Sequence, residues 1–110
     1  MKTTVLTNLS LIDGTGADPL ENAGVVIEED RIKEIFHGRS GGLPADATII
    51  DCRGQYLLPG LIDGHVHLGS VESSIVEQQR RYLPSLSLIK SLNVIKETLD
   101  QGFTTVRDCG

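Results

Sequence analysis

A chain of 110 residues can build a small domain with a real core, and its 15 acidic against 10 basic residues leave a net charge of −5. No basic cluster is longer than Arg80-Arg81, so neither a nucleic-acid backbone nor an anionic membrane is the expected partner, and a small soluble substrate is. Cys52 and Cys109 are far apart and form no CxxC pair, which fits reduced thiols in a cytoplasmic protein better than a disulfide framework.

The opening MKTTVLTNLSLIDG breaks its apolar positions with Thr, Asn, Ser and Asp, unlike a signal peptide, and no run approaches the ~18 apolar residues of a membrane span. Thr3 to Asp13 is predicted to form one or two strands, interrupted at Asn8 and closed by the turn formers Asp13-Gly14-Thr15-Gly16. Gly24 to Glu28 and Arg31 to Phe36 read as a hairpin about Glu29-Asp30. His37, at its end, has no partner at ligand spacing and reads as a surface residue. Gly38 to Pro44 is a loop by composition, and Ala47 to Asp51 is a further strand stopped at Cys52-Arg53-Gly54. Residues 1–58 are therefore a succession of short strands without a helix.

Gln55 to Gly69, QYLLPGLIDGHVHLG, carries the chemistry. In an extended strand, residues at i and i+2 project from one face, so His65 and His67 would stand side by side with Cα atoms about 6.6 Å apart. Asp63 shares their face, and Ile62, Gly64, Val66 and Leu68 share the other. Neutral imidazole is the commonest metal ligand, and paired histidines on a polar strand face suit a metal site. Alternation alone also admits a hydrogen-bonded core pair or exposed residues at a sheet edge.

The run PGLIDGHVHL, residues 59–68, resembles the first barrel strand of the amidohydrolase superfamily, metal-dependent hydrolases built on a (β/α)8 barrel. The resemblance implies an α/β fold in which residues 1–58 belong to a small β-sandwich and 59–110 form the first β-α-β unit of the barrel. A full barrel takes ~250 residues, so the chain is expected to be truncated after barrel strand 2 and inactive alone. It also implies His65 and His67 as ligands of a divalent metal, zinc above all, with one or two ions present. The remaining parts would come from later strands: a carboxylated lysine or glutamate on strand 4, a histidine on each of strands 5 and 6, and an aspartate on strand 8.

Beyond the histidines, Ser74 with Glu77 forms a capping box that opens a short helix, which Pro84 stops. Glu72, Ser73 and Arg81 lie in the segment after the first barrel strand, where solvated roles compete with substrate contact. Leu88, Leu92, Ile95 and Leu99 repeat at helical spacing, predicting a helix over Leu86 to Gln101 whose stripe faces the sheet, capped by Ser85 or Ser87 and ended at Gly102. Phe103 to Asp108 then reads as a strand, completing β-α-β.

GFTTVRDCG, residues 102–110, resembles the second barrel strand of the prolidase-like and imidazolonepropionase-like branch. That implies hydrolysis of C–N bonds in acyl amino acids, Xaa-Pro-type dipeptides or cyclic amides. Asp108 is the one candidate catalytic residue of this chain, with an ordinary strand-end aspartate as the other reading. Two further readings stand beside this one: deamination or cyclic-amide hydrolysis within the same superfamily, and a non-enzymatic β-rich binding or assembly module. A homo-oligomer is compatible with each.

Overall fold

The computed structural model describes residues 2–38 and 41–110. Positions 39 and 40 of the predicted 38–44 loop lie outside the described residues. The chain is mixed α/β and divides into two compact units, Met1–Pro59 and Gly60–Gly110. Among the described residues, no helix is long and apolar enough to cross a membrane.

The first unit is a four-stranded sheet of β1 (Thr3–Leu11), β2 (Leu20–Glu28), β3 (Arg31–His37) and β4 (Thr48–Leu57), in the order β3-β2-β1-β4. The hairpin forms as predicted, with Glu28 opposite Arg31 and Glu29 in the left-handed region at φ 54°. β2 begins earlier than expected, at Leu20. His37 is exposed at the end of β3. Val5, Leu9, Ala23, Val25 and Val26 form the core.

Two sequence expectations are corrected here. Asn8 does not divide the first strand, and Cys52-Arg53-Gly54 does not end the last one. β1 and β4 run parallel, and their register jumps between the pairs Thr7 with Asp51 and Leu9 with Gln55, so Asn8 stands opposite Cys52, Arg53 and Gly54. Asn8, Arg53 and Gly54 have φ of 55°, 53° and 78°, which absorbs the extra residues as a bulge and lets both strands continue. The Asp51 carboxylate holds it, accepting from the Arg53 N–H and the Asn8 amide, both at 2.9 Å. Those two bonds, the Arg53 N–H first, keep the Asp51 carboxyl below its ordinary pKa.

The second unit holds β5 (Leu61–Val66), α1 (Ile75–Arg81), α2 (Pro84–Asp100) and β6 (Phe103–Asp108), with β5 and β6 paired in parallel. Ser74 caps α1, its hydroxyl accepting from the Glu77 N–H. The Glu77 carboxylate meets Arg80 and Arg81. Pro84 opens α2 at its first turn rather than merely ending α1, and neither Ser85 nor Ser87 caps it. Proline is suited to that position because its missing N–H would have had no helical partner. Gly102, at φ 93°, follows the helix in the left-handed conformation the C-terminus needs.

The apolar stripe of α2 is not its covered face. Leu88, Leu92 and Leu99 are each more than half exposed, whereas Ser91 is buried and Ser87, Val94 and Thr98 are half-buried. Two paired strands offer a surface no wider than one helix, so only a narrow strip of α2 can be covered, and small side chains permit the approach. The Ser91 hydroxyl satisfies itself on the Leu88 carbonyl at 2.7 Å.

Two stability effects follow for the intact protein. Leu9→Ala, at a fully buried position, is expected to cost ~2–5 kcal/mol, whereas Ile32→Ala, on an exposed side chain, should stay within ~0.5 kcal/mol in urea unfolding; equal losses would contradict this core. Gly60 lies so close to β6 that an added Cβ would sit 1.9 Å from Thr104 Oγ1 and 2.7 Å from Thr104 Cβ. Rotation of Thr104 cannot relieve the second contact, so Gly60→Ala should destabilise by ~1–3 kcal/mol. An unchanged midpoint would show that the two segments are not so close.

Candidate metal centre

β5 ends at Val66, so His65 is on the strand and His67 is just past its end. The two rings turn toward one another, with centroids 5.1 Å apart and planes at 71°, and their Nε2 atoms converge to 3.3 Å. That separation is within reach of a hydrogen bond between the ring nitrogens. Two bonds of about 2.05 Å at a tetrahedral angle would separate two ligand nitrogens by about 3.35 Å. At 3.3 Å the imidazole pair is spaced for a ring-to-ring hydrogen bond and for two ligands of one ion alike.

The tautomer of His67 serves both arrangements, because a lone pair on Nε2 can accept from His65 or face an ion. Its Nδ1 lies 2.6 Å from the carbonyl oxygen of Gly110. A carbonyl only accepts, so Nδ1 carries the proton, and Nε2 presents its lone pair toward His65. A metal-ligating histidine is commonly oriented through its other ring nitrogen in this way.

Two carboxylates near the pair bond to the backbone. Asp63 Oδ1 accepts the backbone N–H of His65 at 3.0 Å, so it shapes the main chain beneath that histidine. Asp108 Oδ1 accepts the N–H of Gly110 at 2.9 Å. Among the described residues, no three His, Cys, Asp or Glu side chains are placed to hold an ion together.

The segment after β5 is tied down rather than free. Tyr82 donates its hydroxyl proton to Glu72, and Lys90 donates to the Tyr82 oxygen at 2.7 Å while lying 4.0 Å from the ring centroid. The Tyr82 hydrogen bond first, with Lys90 and Arg81 adding to it, holds the Glu72 carboxyl below its ordinary pKa, and Tyr82 raises that of Lys90. Glu72 is thus occupied by a helix-to-loop clasp, and Arg81 is paired with Glu77 at 3.3 Å. A cavity of about 610 Å³ beside the clasp is lined by Leu68, Tyr82, Leu88, Ser91, Ile95 and Asp108, among others.

Sequence reasoning missed the Gly110 carbonyl, because a backbone acceptor has no residue signature. The Glu72-Tyr82-Lys90 cluster was equally hidden, since its members come from a loop, a helix end and the next helix.

No family model matches the sequence. The chain is 32% identical over 80 residues to an adenine deaminase of Clostridium botulinum, covering 73% of this chain and 13% of that protein. It is 36% identical over 76 residues to an imidazolonepropionase of Streptomyces griseus, covering 62% of this chain and 19% of the relative. Among solved structures, a prolidase complexed with N-methylphosphonate-L-proline superposes with a TM-score of 0.85 at 36% identity, over 99% of this chain and 26% of that one. The chain thus spans between about an eighth and a quarter of the proteins it matches. With these likenesses added to the parallel β-α-β unit and its HVH strand, the chain belongs to the amidohydrolase superfamily.

Proposed function

We propose that the protein carrying this chain is a metal-dependent hydrolase of C–N bonds in a small substrate such as an acyl amino acid, an Xaa-Pro-type dipeptide or a cyclic amide. His65 and His67 are its two ligands from this chain. The observation that supports this reading above all is the convergence of their Nε2 atoms at 3.3 Å, with the His67 proton held on the opposite nitrogen.

When bound, a divalent ion supplies water activation near neutral pH and polarisation of the scissile carbonyl. Zinc suits an imidazole site best, and manganese, nickel, iron and cobalt are compatible with it. A catalytic zinc keeps three protein ligands plus water, so residues outside this chain complete the centre and supply the proton-handling group. What these residues do is narrower. The end of β5 fixes the spacing of the two imidazoles, Asp63 braces the backbone under His65, and the Glu72-Tyr82-Lys90 clasp holds the segment that leaves the site. The same reading takes Cys52 and Cys109, both free thiols, as those of a cytoplasmic protein.

A second reading is favoured by the adenine deaminase likeness, which matches 73% of the chain. There the same water-activating centre would release ammonia from a nucleobase. Assay of the intact protein on both an acyl amino acid or dipeptide panel and on adenine separates the two.

The ligand assignment is tested with His65→Ala, His67→Ala and Val66→Ala in the intact protein, measuring metal stoichiometry and turnover. Both histidine variants should lose bound metal and fall in activity by more than the ~10–100-fold typical of losing an outer partner, while Val66→Ala keeps its metal. Wild-type metal content in both histidine variants would refute the assignment.

A further inference from the structure

We propose that Gln78, on α1, is a positioning residue for His67, its side-chain amide fixing the turn by which the chain leaves that histidine. The inference rests on the reading of His67 as a ligand.

The chain turns back directly after β5, because the Ser70 N–H donates to the His67 carbonyl at 3.0 Å and closes a β-turn over His67 to Ser70. That N–H shares one peptide group with the Gly69 carbonyl, which accepts from Gln78 Nε2 at 2.8 Å. The same side chain holds the next peptide, since the Val71 N–H donates to Gln78 Oε1 at 2.9 Å. A carbonyl only accepts and an N–H only donates, so the two partners fix which end of the amide is which. A peptide group is planar, so holding the Gly69 oxygen also sets the direction of the Ser70 N–H. That N–H in turn constrains the His67 carbonyl, whose carbon is bonded to the Cα that carries the imidazole. Gln78 is half-buried, and its own backbone N–H donates to the Ser74 carbonyl at 2.9 Å, so an ordered turn of helix carries the amide.

A tie that served the loop alone would make it harder to open without changing what His67 offers an ion. Methionine keeps the unbranched shape of glutamine and removes the amide. Gln79, exposed on the same helix, is the matched control.

The test uses the intact protein as wild type, Gln78→Met and Gln79→Met, with two readouts. One is hydrogen exchange at the Ser70 amide in metal-free protein. Ser70 N–H bonds to His67 and not to Gln78, so its loss of protection reports transmission through the peptide. The other is zinc affinity by competition with a chelator. Gln78→Met should lose protection at Ser70 and bind zinc about 10-fold more weakly, while Gln79→Met matches wild type in both. Wild-type zinc affinity in Gln78→Met overturns the proposal even where urea unfolding shows lost stability, because that is the mark of a merely structural tie. Unchanged exchange at Ser70, or an equal loss of affinity in Gln79→Met, overturns it as well. Should Gln78→Met fail to fold, Gln78→Asn, whose amide falls one methylene short, is held to the same outcomes. Failure of the metal reading itself is seen separately, as metal retention in His65→Ala and His67→Ala.

Discussion

The parallel pairing of β5 with β6 is the constraint on which the candidate centre depends. Paired strands are held 4.7–4.9 Å apart by their backbone hydrogen bonds, and here the ladder persists through Cys109 to the level of His67. That is what brings the Gly110 carbonyl within reach of an imidazole 43 residues earlier in the chain. The close packing of Gly60 on Thr104 at the opposite end of β5 serves the same pairing, since a side chain there would push the strands apart. One backbone ladder thus sets the strand spacing and brings the ends of β5 and β6 to one level.

The two units solve different problems with the same material. In Met1–Pro59 the sheet buries Val5, Leu9, Ala23 and Val25, and all three of its strand pairings shift register, the β1–β4 pair at the bulge opposite Asn8. Left-handed φ at non-glycine residues costs on the order of 1 kcal/mol or more, yet Asn8 and Arg53 adopt it side by side. Asn is among the residues that tolerate the conformation. Asp51 offsets part of the cost by bonding both partners, and its lowered pKa is the electrostatic trace of those bonds. In Gly60–Gly110 few side chains are deeply buried, and order comes from the strand pair, the helix caps and the Glu72-Tyr82-Lys90 clasp.

The exposed stripe of α2 reflects the narrowness of the strand pair beside it. A helix with Leu88, Leu92, Ile95 and Leu99 along one side has more apolar surface than β5 and β6 can cover. The chain matches between about an eighth and a quarter of the length of its relatives.

Much of this was legible in the amino-acid order. Alternation placed His65 and His67 on one side of a strand, the 3.6-residue period gave α2, and the turn formers gave the hairpin, because each signal depends on neighbours a few residues apart. The run from Pro59 to Leu68 carried the family as well. What the order could not convey was any arrangement made between distant segments. Asn8 and Cys52-Arg53-Gly54 read as two strand breaks because each is locally a turn, and only their alignment across a parallel pair turns them into a bulge that both strands pass through. The covered face of α2 was misjudged because hydrophobic period reports which face wants burial, whereas actual burial depends on the width of the neighbouring sheet. The geometry of the histidine pair was hidden for the same reason. Spacing puts two histidines on one face, but the 3.3 Å between their Nε2 atoms and the approach of His67 Nδ1 to the Gly110 oxygen, 43 residues later, are made between segments.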